Sequence, residues 1–253
     1  MLAFFVPLNT IEKGELHMKL SDVLYTKHRR LKRRIWTFGF LITGMLSLAF
    51  GLLTFYGYNA GNFVMSIDYD AYERGIILSD TEDFNDPKPR LMSDPVPDAR
   101  DMTYSWLKLE EVVETDGNYQ DVDYDYVAYT FYLKNAGKET VDVTYHIRIT
   151  DNYKNLASAV RILIIDDGVQ TIYQLADIPN EFGEYPLYPI ELQDSEDFIS
   201  DTIVMRKVIE GFKPDQVKKI TFVMWLEGED PDTTDDILGG MIRLQMNFSI
   251  NAE

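Results

Sequence analysis

From Thr103 onward, hydrophobic and polar residues alternate with a period of two along a series of short runs. That spacing puts successive side chains on opposite faces of a β-strand. Val127, Tyr129, Phe131 and Leu133 alternate with Ala128, Thr130 and Tyr132. After the turn-like NAGKET (Asn135–Thr140) the pattern resumes with Val141, Val143, Tyr145, Ile147 and Ile149, opposite Asp142, Thr144, His146 and Arg148. Two such runs joined by a Gly-containing loop predict a hairpin with one buried face. A second pair flanks Asp167-Gly168, with VRILIID before it and VQTIYQLA after it. Beyond a polar, aromatic loop (Asn180–Asp197) come DTIVMRKVI, KKITFVMWLEG and MIRLQMNFSI, the last placing Ile242, Leu244, Met246, Phe248 and Ile250 on one face. Seven or eight strands with regular turn signals and no long amphipathic helix predict an all-β, jelly-roll-like β-sandwich over residues 103–253.

Upstream the pattern changes. Ile35 to Tyr56 is almost continuously apolar and would rise roughly 33 Å as a helix, enough to cross a hydrocarbon core of about 30 Å. Trp36 stands at one edge and Phe55, Tyr56 and Tyr58 at the other, as interfacial aromatics do. The basic run KHRRLKRR (Lys27–Arg34) immediately precedes it and predicts a cytoplasmic N-terminus. A cleaved signal peptide would have a shorter apolar region and an A-x-A-like site; Tyr58, two positions before Ala60, fits such a site poorly. We therefore expect a basic stub (1–34), a transmembrane helix (35–58), an acidic, Pro-containing stalk or arm (59–102) and an external domain (103–253). NFVMSI, just after the helix, is expected as an edge strand. Codons for EKGE (Glu12–Glu15) can contain a ribosome-binding sequence close before Met18, so translation is expected to start there.

Charge sharpens this division. The chain carries −18 overall, but residues 1–34 hold eight bases against three acids and residues 35–67 hold none. Residues 68–253 therefore carry 39 acids and 16 bases, a net of −23. So acidic a domain repels nucleic acid and anionic lipid, both of which need Lys/Arg contacts. There is no cysteine, which excludes disulfides and thiolate metal sites.

Catalytic patterns are sparse. His17 and His28 precede the apolar run, His146 stands alone on a polar strand face, and neither HExxH nor G-x-S-x-G occurs. A surface hydrolase would have His146 as its only base. The densest cluster is the loop EGEDPDTTDD, which gathers Glu227, Glu229, Asp230, Asp232, Asp235 and Asp236 between two strands. Crowded carboxylates repel, and a hard cation such as Ca²⁺ relieves the repulsion with oxygen ligands; the alternative is a solvated loop of an acidic protein. DVDYDY (Asp121, Asp123, Asp125) lacks the glycine and closing glutamate of an EF-hand.

Two stretches resemble the TasA/camelysin family of bacterial surface proteins. One is YTFYLKNAGKETVDVTYHI (Tyr129–Ile147); the other, more specific, is ITFVMWLEGEDPDTTDDILGG (Ile220–Gly240), with its W-L-E-G-x-D-P core followed by glycine. Together they cover about 40 residues. The resemblance implies a jelly-roll-like sandwich, export, and a role in matrix or surface fibres, in which an N-terminal segment can complete a neighbour's sheet. Family members are typically cleaved by a signal peptidase and some are called metalloproteases; this chain has an uncleaved-looking anchor and no zinc site.

The sequence thus leads to a non-enzymatic, single-pass surface protein with a structural or adhesive role, partnered by the bilayer through residues 35–58 and by itself or other surface or matrix proteins. A calcium-responsive binding module using the Glu227–Asp236 loop is the rival reading.

Overall fold

The computed structural model describes residues 20–58 and 62–250. The expected start at Met18 and the residues before it lie outside them. The chain divides into two compact units, residues 1–58 and 59–253.

The first unit contributes one long helix, α1 (Leu20–Tyr58, 39 residues). Within it Arg34–Leu52 has a mean hydropathy of 1.8 with no part buried by protein, so it is long and apolar enough to cross a membrane. Thr43 and Thr54 return their hydroxyls to the carbonyls of Gly39 and Phe50 (2.9 and 2.8 Å), leaving neither polar group unmatched in an apolar surround.

The second unit is built from strands. In order they are β1 (Phe63–Ile67), β2 (Ile76–Ser79), β3 (Arg90–Met92), β4 (Gly117–Tyr119), β5 (Val127–Asn135) and β6 (Val141–Tyr153), followed by β7 (Val160–Asp166), β8 (Val169–Gln174), β9 (Glu196–Asp197), β10 (Ile203–Phe212), β11 (Val217–Leu226) and β12 (Met241–Ile250). Two short helices, α2 (Tyr69–Glu73) and α3 (Leu109–Glu114), interrupt them. One sheet runs β10-β6-β12-β1-β3; the other runs β2-β5-β11-β7-β8-β9, with β4 also on β5. Both are mixed, because β1 lies parallel to β12 and β8 parallel to β9.

The sheets face each other across one core. Phe63 and Met65 from β1, Phe131 and Leu133 from β5, Val143 and Tyr145 from β6, Phe222 from β11 and Phe248 from β12 all meet there, nearly without solvent exposure. Phe131 meets Phe248 edge-on with centroids 6.1 Å apart. The five-stranded sheet has a polar outer face, so β6 and β12 alternate as the sequence implied. The seven-stranded sheet does not. A layer made by residues 102–126 and the loop before β9 covers its outer face, and Met102, Val112, Tyr126, Leu163, Leu192, Val223 and Trp225 form a second, smaller core there. β5 and β7 are consequently buried on both faces, which is why they read as near-continuous apolar runs.

Two expectations need correction. β5 and β6 are not a hairpin: β5 pairs with β11, β2 and β4, and β6 with β10 and β12 in the opposite sheet. NAGKET is the crossover between them. Asn135 closes it, its side chain donating to the carbonyls of Glu139 and Phe212 (both 2.8 Å) while accepting from Gly137 N (2.9 Å). Gly137 is required because a Cβ there would stand 2.1 Å from the Arg74 carbonyl oxygen. The expected β7–β8 hairpin does form, with Asp167 and Gly168 both at positive φ (48° and 88°), the backbone of a type I′ turn.

The second correction concerns residues 59–102, expected as an irregular stalk or an arm lying along the domain. β1 is an interior strand between β12 and β3, β2 borders β5, and Ile76 and Leu78 are fully buried. The short apolar islands FVMSI, IIL and RLM enter the sheets, and Pro89, just before RLM, accepts from Ile67 N through its carbonyl (3.0 Å).

Candidate functional site

The acidic loop begins where β11 ends. Glu227 N donates to Ala159 O (2.9 Å) and Gly228 N to Met102 O (2.8 Å), so the loop's first residues are fastened to two neighbouring segments. The Glu227 side chain is fully buried. Its Oε2 accepts from the Trp225 indole N–H (2.8 Å), its Oε1 accepts from Glu229 N (3.1 Å), and its carbonyl accepts from the Thr233 hydroxyl (2.7 Å). Asp230, also buried, accepts from Asp232 N at Oδ1 (2.8 Å), and its Oδ2 lies 2.7 Å from Nη2 of Arg161.

Arg161 has no solvent exposure. It stands on the outer face of β7, opposite Trp225 on β11, with its guanidinium carbon 5.0 Å from the Tyr188 ring centroid. The Arg161–Asp230 contact is close but not aligned as a hydrogen bond, and Nε and Nη1 find no acceptor among the described residues. It is best regarded as a buried charge contact. Burial pushes the Asp230 carboxyl above the usual range, and the Asp232 N–H and the Arg161 charge only partly offset it. Tyr188 in turn donates to Asp177 (2.7 Å), which also accepts from Gln174 (3.1 Å). Nothing local in the sequence signals this cluster, because its cation comes from a strand remote from the loop.

The six candidate calcium ligands therefore divide. Glu227 and Asp230 point inward and are already engaged, while Glu229, Asp232, Asp235 and Asp236 are exposed. Among the described residues no group of three or more His, Asp or Glu side chains is placed to hold a metal ion. The Glu227 and Asp230 carboxylates organise the loop by accepting from the N–H groups of Glu229 and Asp232.

His146 lies on the outer face of the five-stranded sheet, in register with Arg206 on one side and Asn247 on the other. Partial burial, then Arg206 and Arg148, hold its pKa below the ordinary value, against a weaker opposing pull from Asp68. Among the clefts that indent the domain, two carry acidic side chains in their linings. One of about 170 Å³ is lined by Asp94, Pro95, Asn118, Tyr119, Asp121 and Tyr124; the other, about 420 Å³, by Thr150, Asp151, Asn152, Leu175 and Asp201. In the first, Asp94 is bonded by Asn118 and Gln120, and Asp121 by Lys108 (3.0 Å) and Tyr126 (3.1 Å).

β1 is the most distinctive element. Its backbone pairs on both sides, parallel to β12 and antiparallel to β3. Leu244 N donates to Asn62 O (2.8 Å), Asp68 N to Phe248 O (2.8 Å), and Ser93 N to Phe63 O (2.9 Å). Val96 N donates to the Asn62 side chain (2.8 Å). Outside, the Ser66 hydroxyl donates to Asn247 Oδ1 (3.0 Å). The sequence marked this segment only as an edge strand, since FVMSI is too short to announce pairing on both sides.

No protein-family model matches the chain, and no curated protein matches it. Among solved structures it is similar to two crystal structures of β-glucosidase from Kluyveromyces marxianus, one selenomethionine-labelled and one with glucose. Sequence identity is 9% and 8%, with TM-scores of 0.23 and 0.20. The match covers 68% of this chain in both cases but only 16% and 15% of those chains. TM-scores this low do not define a shared fold.

Proposed function

We propose that this chain is a membrane-anchored protein of the bacterial cell surface, with its N-terminus cytoplasmic and its acidic domain outside. Its role is structural or adhesive: the domain pairs with further copies of itself or with other surface or matrix proteins. The two-sheet domain is taken as a jelly-roll-like sandwich of the TasA/camelysin kind, and catalysis is no part of the reading.

The observation that carries it is the place of β1. A short strand, separated from the end of α1 by four residues in sequence, fills the gap between the last strand β12 and the small strand β3. Taking β1 away would open the β12 edge and uncover the pocket that holds Phe63 and Met65. The same segment from another copy would bring the same backbone groups and the same side chains, which is how strand addition joins subunits. The acidic surface keeps unpaired domains apart in solution.

The test is the size distribution of purified residues 62–253, by light scattering and negative-stain microscopy, with Ca²⁺ and with chelator. Concentration-dependent oligomers or filaments are expected in both. A monomer at every concentration would overturn the reading.

A further inference from the structure

The outer sides of the two sheets differ in charge. On the outer face of the five-stranded sheet, Arg206, His146, Asn247, Ser66 and Arg90 form one row across all five strands. Beside it, exposed Arg148 donates to Gln245 (2.9 Å). In a region with 39 acids, Arg90, Arg148 and Arg206 are exposed and form no ion pair with any carboxylate among the described residues. Of the face's own acids, Asp142, Glu210 and Asp151 stand toward the strand ends, while exposed Asp68 reaches the row itself and accepts from the Asn247 side chain (2.7 Å).

The layer over the seven-stranded sheet is strongly acidic. Residues 103–126 hold seven carboxylates and one base, Lys108, a net of −6. Lys108 is itself held by Asp121 and Asp123 (both 3.0 Å). Glu110, Glu111, Glu114, Asp116 and Asp123 face solvent.

We infer that the arginine face of one copy docks on the acidic layer 103–126 of a second copy. Guanidinium groups without carboxylate partners on one side match exposed carboxylates on the other, and such complementarity steers association and fixes orientation. Because the two surfaces are on opposite sides of one domain, the contact is heterologous, leaving a free arginine face and a free acidic layer at the two ends of every pair. It therefore repeats from copy to copy, into a ring where the rotation closes and a filament where it does not. This inference rests on the assembly reading above and adds a second, salt-sensitive contact to the strand-mediated one.

The chain has no cysteine, so single cysteines report contacts cleanly. Val208→Cys labels the arginine face, where Val208 is 48% exposed, and Val122→Cys labels the acidic layer, where Val122 is 91% exposed; neither alters charge. The two full-length variants are reconstituted together in liposomes of neutral lipid and mildly oxidised. The expected product is a disulfide pair joining one variant to the other, much weaker with either variant alone. It should fall several-fold between about 0.05 and 0.5 M salt, as the screening length shrinks. Arg148→Glu with Arg206→Glu should abolish it, and Glu110→Lys with Glu111→Lys on the other copy should restore it. Linkage of Val208→Cys to itself would overturn the inference. So would oligomers that never cross-link, leaving strand exchange intact, whereas the absence of any oligomer would remove both readings. Retention on immobilised dextran sulfate without self-linkage would assign the arginine face to an anionic polymer and overturn docking between copies.

Discussion

Phe63 lies flat on Phe222, with ring centroids 3.6 Å apart and planes within 6° of parallel. One ring belongs to the first strand after the apolar helix and the other to the middle of the opposite sheet. The N-terminal segment is therefore joined to the centre of the core.

Phe63→Ala should destabilise the domain by about 3–5 kcal/mol, the usual range for truncating a buried aromatic. Urea unfolding followed by tryptophan fluorescence measures this. A change below about 1 kcal/mol would mean that β1 contributes little to the folded domain.

Asp230→Ala leaves Arg161 charged, fully buried and without a counter-ion, and should cost about 3–5 kcal/mol. Replacing both, with Arg161→Met and Asp230→Leu, should recover most of that loss, since two apolar side chains need no partner there. Equal destabilisation by the single and double variants would contradict the buried-pair account.

The tyrosines give the domain an alkaline limit. Burial pushes Tyr129 and Tyr173 up to about 12, and burial followed by the Asp166 carboxylate pushes Tyr145 up as well. The folded state thus keeps protons that an unfolded chain releases near pH 10. Their contribution is intact below about pH 10 and is lost as pH rises through 10 towards 12. The urea midpoint should hold from pH 8 to 10 and then fall, with tyrosinate absorbance rising as the domain unfolds. Complete ionisation near pH 10 in the folded state would contradict this.

Calcium should leave the melting temperature unchanged at millimolar concentration, because Glu227 and Asp230 are engaged by Trp225 and Arg161. A ligand at a hundred times its Kd would add about 2.7 kcal/mol. A rise that Asp232→Asn removes would show that the loop takes up the cation.

Much of the strand pattern was legible in the sequence, but not the strand pairing. Ile242, Leu244, Met246 and Phe248 alternate inward as their spacing required, and Asp167-Gly168 announced its hairpin through the backbone angles such a turn needs. NAGKET misled because a Gly-containing loop between two alternating runs is compatible with a hairpin or a crossover. What decides is Asn135 reaching Phe212 and Gly137 pressed on Arg74, both contacts between residues distant in sequence. The arrangement within the acidic loop was illegible for a related reason. Composition counts carboxylates but not their directions, and Arg161, which turns Asp230 inward, reads as an ordinary polar position in VRILIID.

The most direct test of strand-mediated assembly uses the Ser66–Asn247 contact, where β1 meets β12 on the accessible outer face. Ser66→Cys with Asn247→Cys in the full-length chain, oxidised after assembly, reports whether each β1 sits in its own sheet or in a neighbour's. Exchange of β1 predicts a ladder of disulfide-linked multimers on a non-reducing gel, collapsing to one band on reduction. Only internally linked monomers, from preparations that light scattering shows to be assembled, would contradict it.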